Sequence, residues 1–155
     1  MKYNRYPKRD ALKNYFPLPN EIFSLGLSGG EILVYTYLMY REDRETFQCH
    51  PSYKTIGEAV GMSNNTVKKY VDGLVEKRLI TTKPTSVITK KGEKRNGNLL
   101  YTIRPIQEAV DHFNAEQLRK AEREMARLNV IRKLEEYDRK HGNSSNIRSS
   151  LFEAG

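Results

Sequence analysis

The residues best equipped to meet another molecule are amides and ammoniums. In "SNNTVKKYVDGLVEK", Asn64, Asn65, Lys68, Lys69 and Asp72 fall on one side of a helical wheel. Val67, Val71 and Leu74 fall on the other, with Tyr70 beside them. An Asn amide can pair bidentately with adenine, and a Lys ammonium can donate to guanine or to phosphate. This is recognition chemistry, not bond-making chemistry. The one cysteine, Cys49, has His50 as its neighbour, which is the pattern of a nucleophile or metal ligand. His112 and His141 stand far off without ligand spacing, and one thiol builds neither an intrachain disulfide nor a Cys-based zinc cluster. Cys49 is read instead as a small core residue in a strand. With no phosphate-cradling Gly-rich loop, no metal-spaced His or carboxylates and no nucleophile motif, neither an enzyme nor a cofactor is expected.

Presenting such a face requires a particular set of elements. Ser52 precedes a run in which Ile56, Ala59 and Val60 recur at helical spacing, so a helix starts at Tyr53. Gly61 supplies the left-handed residue that closes it, Met62 plugs the space between helices, and Ser63 caps the next helix. The whole reads as a helix-turn-helix over Pro51 to Ile80. In a DNA-binding one, the N-terminal end of the second helix puts side chains on base edges in the major groove. A polar helical face that is merely solvated has the same pattern, so the flanking segments must decide.

Upstream, Ser28 followed by Glu31 is a capping box, opening a helix from Gly29 to about Arg41. Ile32, Leu33, Tyr35, Leu38 and Met39 give it a wide apolar arc on which the other two helices pack. "FQCHP" is a short extended segment ended by Pro51. Tyr15, Phe16, Leu18, Ile22 and Phe23 are dense enough to pack on the domain. Downstream, Leu79 to Thr89 is rich in β-branched residues, "KKGEKRNGN" forms turns, and Leu99 to Ile103 is a second strand. This is a hairpin with a basic tip, and Pro84 demands a bulge or an edge position. The order of elements is that of a winged helix-turn-helix, with Lys90, Lys91, Lys94 and Arg95 placed to touch phosphate or the minor groove.

Charge supports a polyanionic partner. The net +8 is concentrated: Met1 to Ser24 holds five basic and two acidic residues, and Thr81 to Pro105 holds six and one. Leu25 to Ile80 and Ile106 to Gly155 are each balanced. The proline-interrupted N-terminal stretch reads as an arm whose Arg5, Lys8 and Arg9 follow phosphates or enter a minor groove. A frayed, solubilising terminus fits the same residues. No stretch approaches the ~20 apolar residues of a membrane span, and Met1 to Asp10 is too polar for a signal peptide, so a cytoplasmic location is expected.

From Tyr15 to Ile103 the pieces "LPNEIFSLGLS", "VYTYLMYR", "CHPSYKTIGEAVGMSNNTVKKYVDGLVEKRLI" and "NLLYTI" resemble a bacterial family of winged helix-turn-helix domains found in plasmid, phage and conjugative-element proteins. Some of its members resemble the N-terminal domain of plasmid replication initiator protein A. The resemblance implies the fold and DNA binding, with Ser52, Tyr53, Lys54, Thr55, Ser63, Asn64, Asn65, Thr66, Lys68 and Lys69 on the family's helix-turn-helix face. Two departures stand out. Asn64 and Asn65 replace the usual Arg or Lys after the capping Ser, and Arg78 stands where Gly is common.

Pro105 opens a run without a breaker until Gly142, read as one long helix. Ile106, Val110, Phe113, Leu118, Ala121, Met125, Leu128, Ile131 and Leu134 make a stripe, and Glu116–Lys120, Arg132–Glu136 and Glu135–Arg139 sit at ion-pair spacing. Arg132 interrupts the heptad seam. At roughly 50 Å such a helix outruns a small domain, so its distal half needs a partner, a second copy being the simplest. A fold-back at Asn114 or Asn129 is the alternative.

The expected fold is therefore mainly α with a small β-wing, a winged helix-turn-helix followed by a long C-terminal helix. Its segments are a basic, aromatic arm (1–24), the DNA-binding domain (25–104), a helix expected to dimerise (105–142) and a disordered tail (143–155). The expected function is sequence-specific double-stranded DNA binding by a homodimeric transcriptional regulator. Two alternatives stay open: a replication initiator or replisome-organising factor of a mobile element that contacts host replication proteins, and a winged helix that binds protein.

Overall fold

A computed structural model describes residues 15–142 of the chain. Arg5, Lys8, Arg9 and the tail from 143 lie outside the described residues. The chain divides into one compact unit running to Phe113 and a second from Asn114 onward.

In the first unit, helix α1 (Gly29–Arg41) begins where the capping box predicts. The Glu31 N–H donates to Ser28 Oγ at 3.2 Å, and the Ser28 hydroxyl donates to Glu31 Oε1 at 3.0 Å. Strand β1 (Gln48–Cys49) leads into α2 (Tyr53–Val60), and a short turn leads into α3 (Asn64–Glu76). Strands β2 (Ile80–Lys83) and β5 (Leu100–Ile103) pair antiparallel, and β1 adds to the free edge of β5, giving the order β1-β5-β2. Between β2 and β5 the chain runs out as a separate two-stranded ribbon of β3 (Ser86–Ile88) and β4 (Lys94–Asn96). Pro84 sits in the break between β2 and β3, where its missing N–H costs no ladder bond.

One core unites these elements. Val34, Tyr35 and Leu38 of α1 meet Ile56 of α2 and Val67, Val71 and Leu74 of α3, and Leu79, just before β2, closes it with Ile80, Tyr101 and Ile103 of the sheet. Ile22 and Leu25 enter from a 3-10 turn and its exit (Asn20–Phe23), and Ala109 from the start of helix α4 (Ile106–His141). Cys49 is buried in β1, where burial pushes its thiol up to about 11.

Several expectations need correction. Leu33 is 49% exposed, because it lies on the far side of α1 from Val34 and Leu38. Phe23 is 81% exposed: its neighbour Ile22 takes the core-facing position of the 3-10 turn. Ala59 is exposed as well, since α2 rests on the core through Ile56 and Gly57. The stretch from Lys90 to Asn98 is not all turn; Lys94–Asn96 pairs with Ser86–Ile88, and the reversal is confined to the residues around Gly92. Among residues 114–141, Glu116 pairs with Arg119, one residue nearer than expected, and Arg127 lies 3.7 Å from Glu124. No helix among the described residues is long and apolar enough to cross a membrane.

Candidate nucleic-acid interface

The geometry of the helix-turn-helix is set by two Ser caps of the same design. The Thr55 N–H donates to Ser52 Oγ at 3.1 Å and the Thr66 N–H to Ser63 Oγ at 3.3 Å; in each pair the hydroxyls lie 2.9 Å apart. Ser52, Thr55, Ser63 and Thr66 thus use their hydroxyls to start helices. Between the helices, Gly61 adopts φ 72 and the Met62 N–H returns to Gly57 O at 2.9 Å. The turn is so tight that a Cβ on Gly57 would stand 2.3 Å from the Met62 carbonyl oxygen. Gly57 is a requirement that sequence reading passed over in favour of Gly61. A glycine inside an otherwise helical run, four residues before the turn glycine, was the available signal.

Helix α3 is held from behind as closely as from the side. Gly30 of α1 lets the Tyr70 ring lie where its own Cβ would be, 2.1 Å from Tyr70 Cζ. Gly73 similarly makes room for Glu31, whose Cδ would be 3.2 Å from an added Cβ. At the foot of α3, Lys77 Nζ donates to both Glu31 carboxylate oxygens, at 3.0 and 2.8 Å, and to Gly26 O at 3.3 Å. Glu31 is therefore both the capping-box partner of α1 and the anchor of α3. The helix ends with Arg78 at φ 66, its N–H on Val75 O and the Leu79 N–H on Leu74 O, a Schellman closure built on a non-glycine residue.

This framework exposes Asn64, Asn65, Lys68, Lys69 and Asp72 of α3 together. They share the face away from Val67, Val71 and Leu74. Lys69 Nζ lies 5.6 Å from the Tyr70 ring centroid, within cation–π range. Lys68 donates to Asp72 Oδ2 at 2.6 Å, which raises the ammonium's pKa above its ordinary value. On α2, Lys54 is exposed and loosely paired with Glu58 at 4.0 Å, whereas Tyr53 is half-buried and burial raises its phenol pKa.

The wing carries the second cationic group. Gly92 at φ 80 turns the chain, with the Gly92 N–H on Thr89 O at 2.8 Å and the Thr89 N–H on Glu93 O at 2.9 Å. Lys90, Lys91, Lys94 and Arg95 are all exposed, and Arg95 meets Glu93 at 3.1 Å. The base of the ribbon is tied down by Thr85, whose hydroxyl donates to Asn98 O, and by Asn98 Nδ2 donating to His50 O at 3.2 Å. Among the described residues no cluster of His, Cys, Asp or Glu is placed to hold a metal ion.

Solved structures of low identity are similar to this chain. A possible transcriptional regulator from Methanosarcina mazei Go1 is 16% identical with a TM-score of 0.48, over 69% of this chain and 81% of that one. A MarR-family transcriptional regulator from Silicibacter pomeroyi is 16% identical with a TM-score of 0.37, over 74% and 75%. The S. aureus MepR-DNA complex is 15% identical with a TM-score of 0.36, over 84% and 90%. A comparison with curated proteins finds no match. Residues 25–80 match the family model described as a helix-turn-helix domain, and with the ribbon that follows them they form a winged helix-turn-helix.

Proposed function

We propose that this protein is a sequence-specific double-stranded DNA-binding protein, a cytoplasmic, non-enzymatic transcriptional regulator. The observation that carries the reading is the exposed amide and ammonium face of α3, fixed at both ends by side-chain contacts and followed in the chain by a cationic ribbon. Asn64, Asn65, Lys68 and Lys69 read base edges in a major groove, and Lys54 together with the first turns of α2 and α3 meets phosphates. Lys90, Lys91, Lys94 and Arg95 supply salt-dependent affinity. Arg5, Lys8 and Arg9 of the arm add to it. Selection from a randomised duplex pool tests the reading. A consensus should emerge that the chain prefers over scrambled duplex by at least the ~10³-fold typical of specific binders; a pool that stays random would overturn it.

The active species is a homodimer. Along α4 beyond Asn114, Leu118, Met125 and Leu128 are 61%, 64% and 55% exposed, apolar surface that a second copy would cover. Two recognition helices then meet half-sites of an inverted repeat about one helical turn apart. Sedimentation should show a dimer in the full chain and a monomer in Leu128→Glu; a monomeric parent at micromolar concentration with full affinity for its site would remove the dimer.

The resemblance of Leu18 to Phe23 and of Pro51 to Val67 to domains of plasmid and phage proteins favours a second reading, initiation of replication in a mobile element. Footprints at an origin, not at promoters, would select it.

A further inference from the structure

The exposed residues of α3 carry an even balance of charge. Lys68 and Lys69 are offset by Asp72 and Glu76, and Asn64 and Asn65 are neutral. A surface that grips phosphates without discrimination carries an excess of cations, as Lys90, Lys91, Lys94 and Arg95 do against the lone Glu93 in the wing. Lys68 is moreover already engaged: its Nζ lies 2.6 Å from Asp72 Oδ2, with the two side chains 60% and 61% exposed. Both have room to stay in aqueous rotamers, and on a helix surface an exposed ion pair of this spacing is weak. An arrangement that contributes little to stability, at the centre of the face that would meet DNA, is better understood by what it does to a ligand.

We propose that Asp72 is a specificity-determining residue: it withholds the Lys68 ammonium from phosphates and, with Lys68, reads one G·C pair. The inference rests on the DNA-binding reading and names what part of the recognition face discriminates. In the major groove a G·C pair presents two acceptors, N7 and O6 of guanine, followed by one donor, the N4 amino group of cytosine. A cation held beside an anion matches that order, Lys68 donating to guanine and Asp72 accepting from cytosine. An A·T pair interposes its N6 donor between the acceptors N7 and O4, so a carboxylate placed on the donor also meets an oxygen. On duplex without the G·C pair, Asp72 repels neighbouring phosphates and keeps Lys68 from binding them. Non-specific affinity is then left to the wing and the arm.

The test uses the full-length chain, a duplex selected by it from a randomised pool, and a scrambled duplex of the same composition. Asp72→Asn should bind the scrambled duplex several-fold more tightly. It should also steepen the slope of log affinity against log salt by about 0.9, equivalent to about 3.5-fold between 50 and 200 mM salt when one more phosphate is neutralised. Lys68→Ala combined with Asp72→Asn should return the slope to that of the parent, because the freed cation is gone. Asp72→Glu, which can still pair with Lys68, should behave like the parent. A pool selected by Asp72→Asn should lose a G·C preference at one position. The proposal is overturned if Asp72→Asn leaves the scrambled-duplex affinity and salt slope unchanged, weakens both duplexes alike, or loses an A·T preference instead. If the parent itself fails to separate selected from scrambled duplex, the DNA-binding reading falls, and that outcome is visible before any variant is made.

Discussion

Replacing Gly57 by Ala should destabilise the first unit by about 3 kcal/mol, the upper end of the usual range for overpacking. The added Cβ would stand 2.3 Å from the Met62 carbonyl oxygen, about 1 Å inside ordinary van der Waals contact, and that oxygen belongs to the backbone of the turn. It cannot rotate away; the α2–α3 turn must open. Gly30→Ala meets the Tyr70 ring at 2.1 Å, yet this neighbour is a half-buried side chain that can swing, so roughly 1–2 kcal/mol is expected. At Gly29, in the first turn of α1, a Cβ meets nothing within 4 Å, and Ala should stabilise by about 0.5 kcal/mol through reduced backbone entropy. For a domain of this size each kcal/mol moves the midpoint by roughly 4–8 °C, so thermal unfolding followed by circular dichroism should place Gly57→Ala some ~12–24 °C below the parent. A Gly57→Ala variant melting at or above the parent, or above Gly30→Ala, would refute the tight-turn geometry.

Three further outcomes concern the wing and the core. Alanine at Lys90, Lys91, Lys94 and Arg95 together should leave unfolding unchanged, since all four are exposed, while flattening the salt slope by about 0.9 for each phosphate that the wing ceases to neutralise; an unchanged slope would remove the wing from the interface. Burial pushes Cys49 up from the ordinary 9.0 to about 11, and Tyr35 from 10.0 to about 12, so the folded state holds these protons more tightly than the unfolded state. Stability should therefore be insensitive to these groups below pH 9 and fall as pH rises toward 11. Cys49 should react with a thiol reagent at pH 8 only as fast as the chain opens, and rapid labelling of the native protein would contradict its burial.

What was legible in the sequence was whatever is encoded locally. The Ser28–Glu31 box, the Ser52 and Ser63 caps and the turn at Gly61 each act within a few residues, so all three helices of the motif could be placed from spacing alone. The hairpin was legible from its β-branched runs and Pro84, but Lys94–Asn96, polar throughout, carried no strand signal and pairs only because the turn at Gly92 brings it opposite β3. Close approaches between distant segments left no trace. Nothing near Glu31 announces Lys77, and nothing near Gly30 announces Tyr70, because these are consequences of how α1 crosses α3. Hydrophobicity also failed to say which large side chains stay in water: Leu33 and Phe23 are as apolar as their buried neighbours and differ only in the direction the backbone aims them. In the candidate interface, Lys68 and Asp72 were visible at helical spacing as members of a polar face. That these two pair with each other required coordinates.

The central claim is that α3 reads base edges, and Asn65 is its most direct witness, exposed on the outward side of the helix. The decisive measurement is the affinity of Asn65→Ala, and of Lys69→Ala beside it, for the selected duplex and for a scrambled one at the same salt concentration. Each variant should lose ~1–3 kcal/mol on the selected duplex, the worth of one good base pairing, and almost nothing on the scrambled one. Equal losses on both duplexes would mean that these side chains touch only phosphate, contradicting the placement of α3 in the major groove.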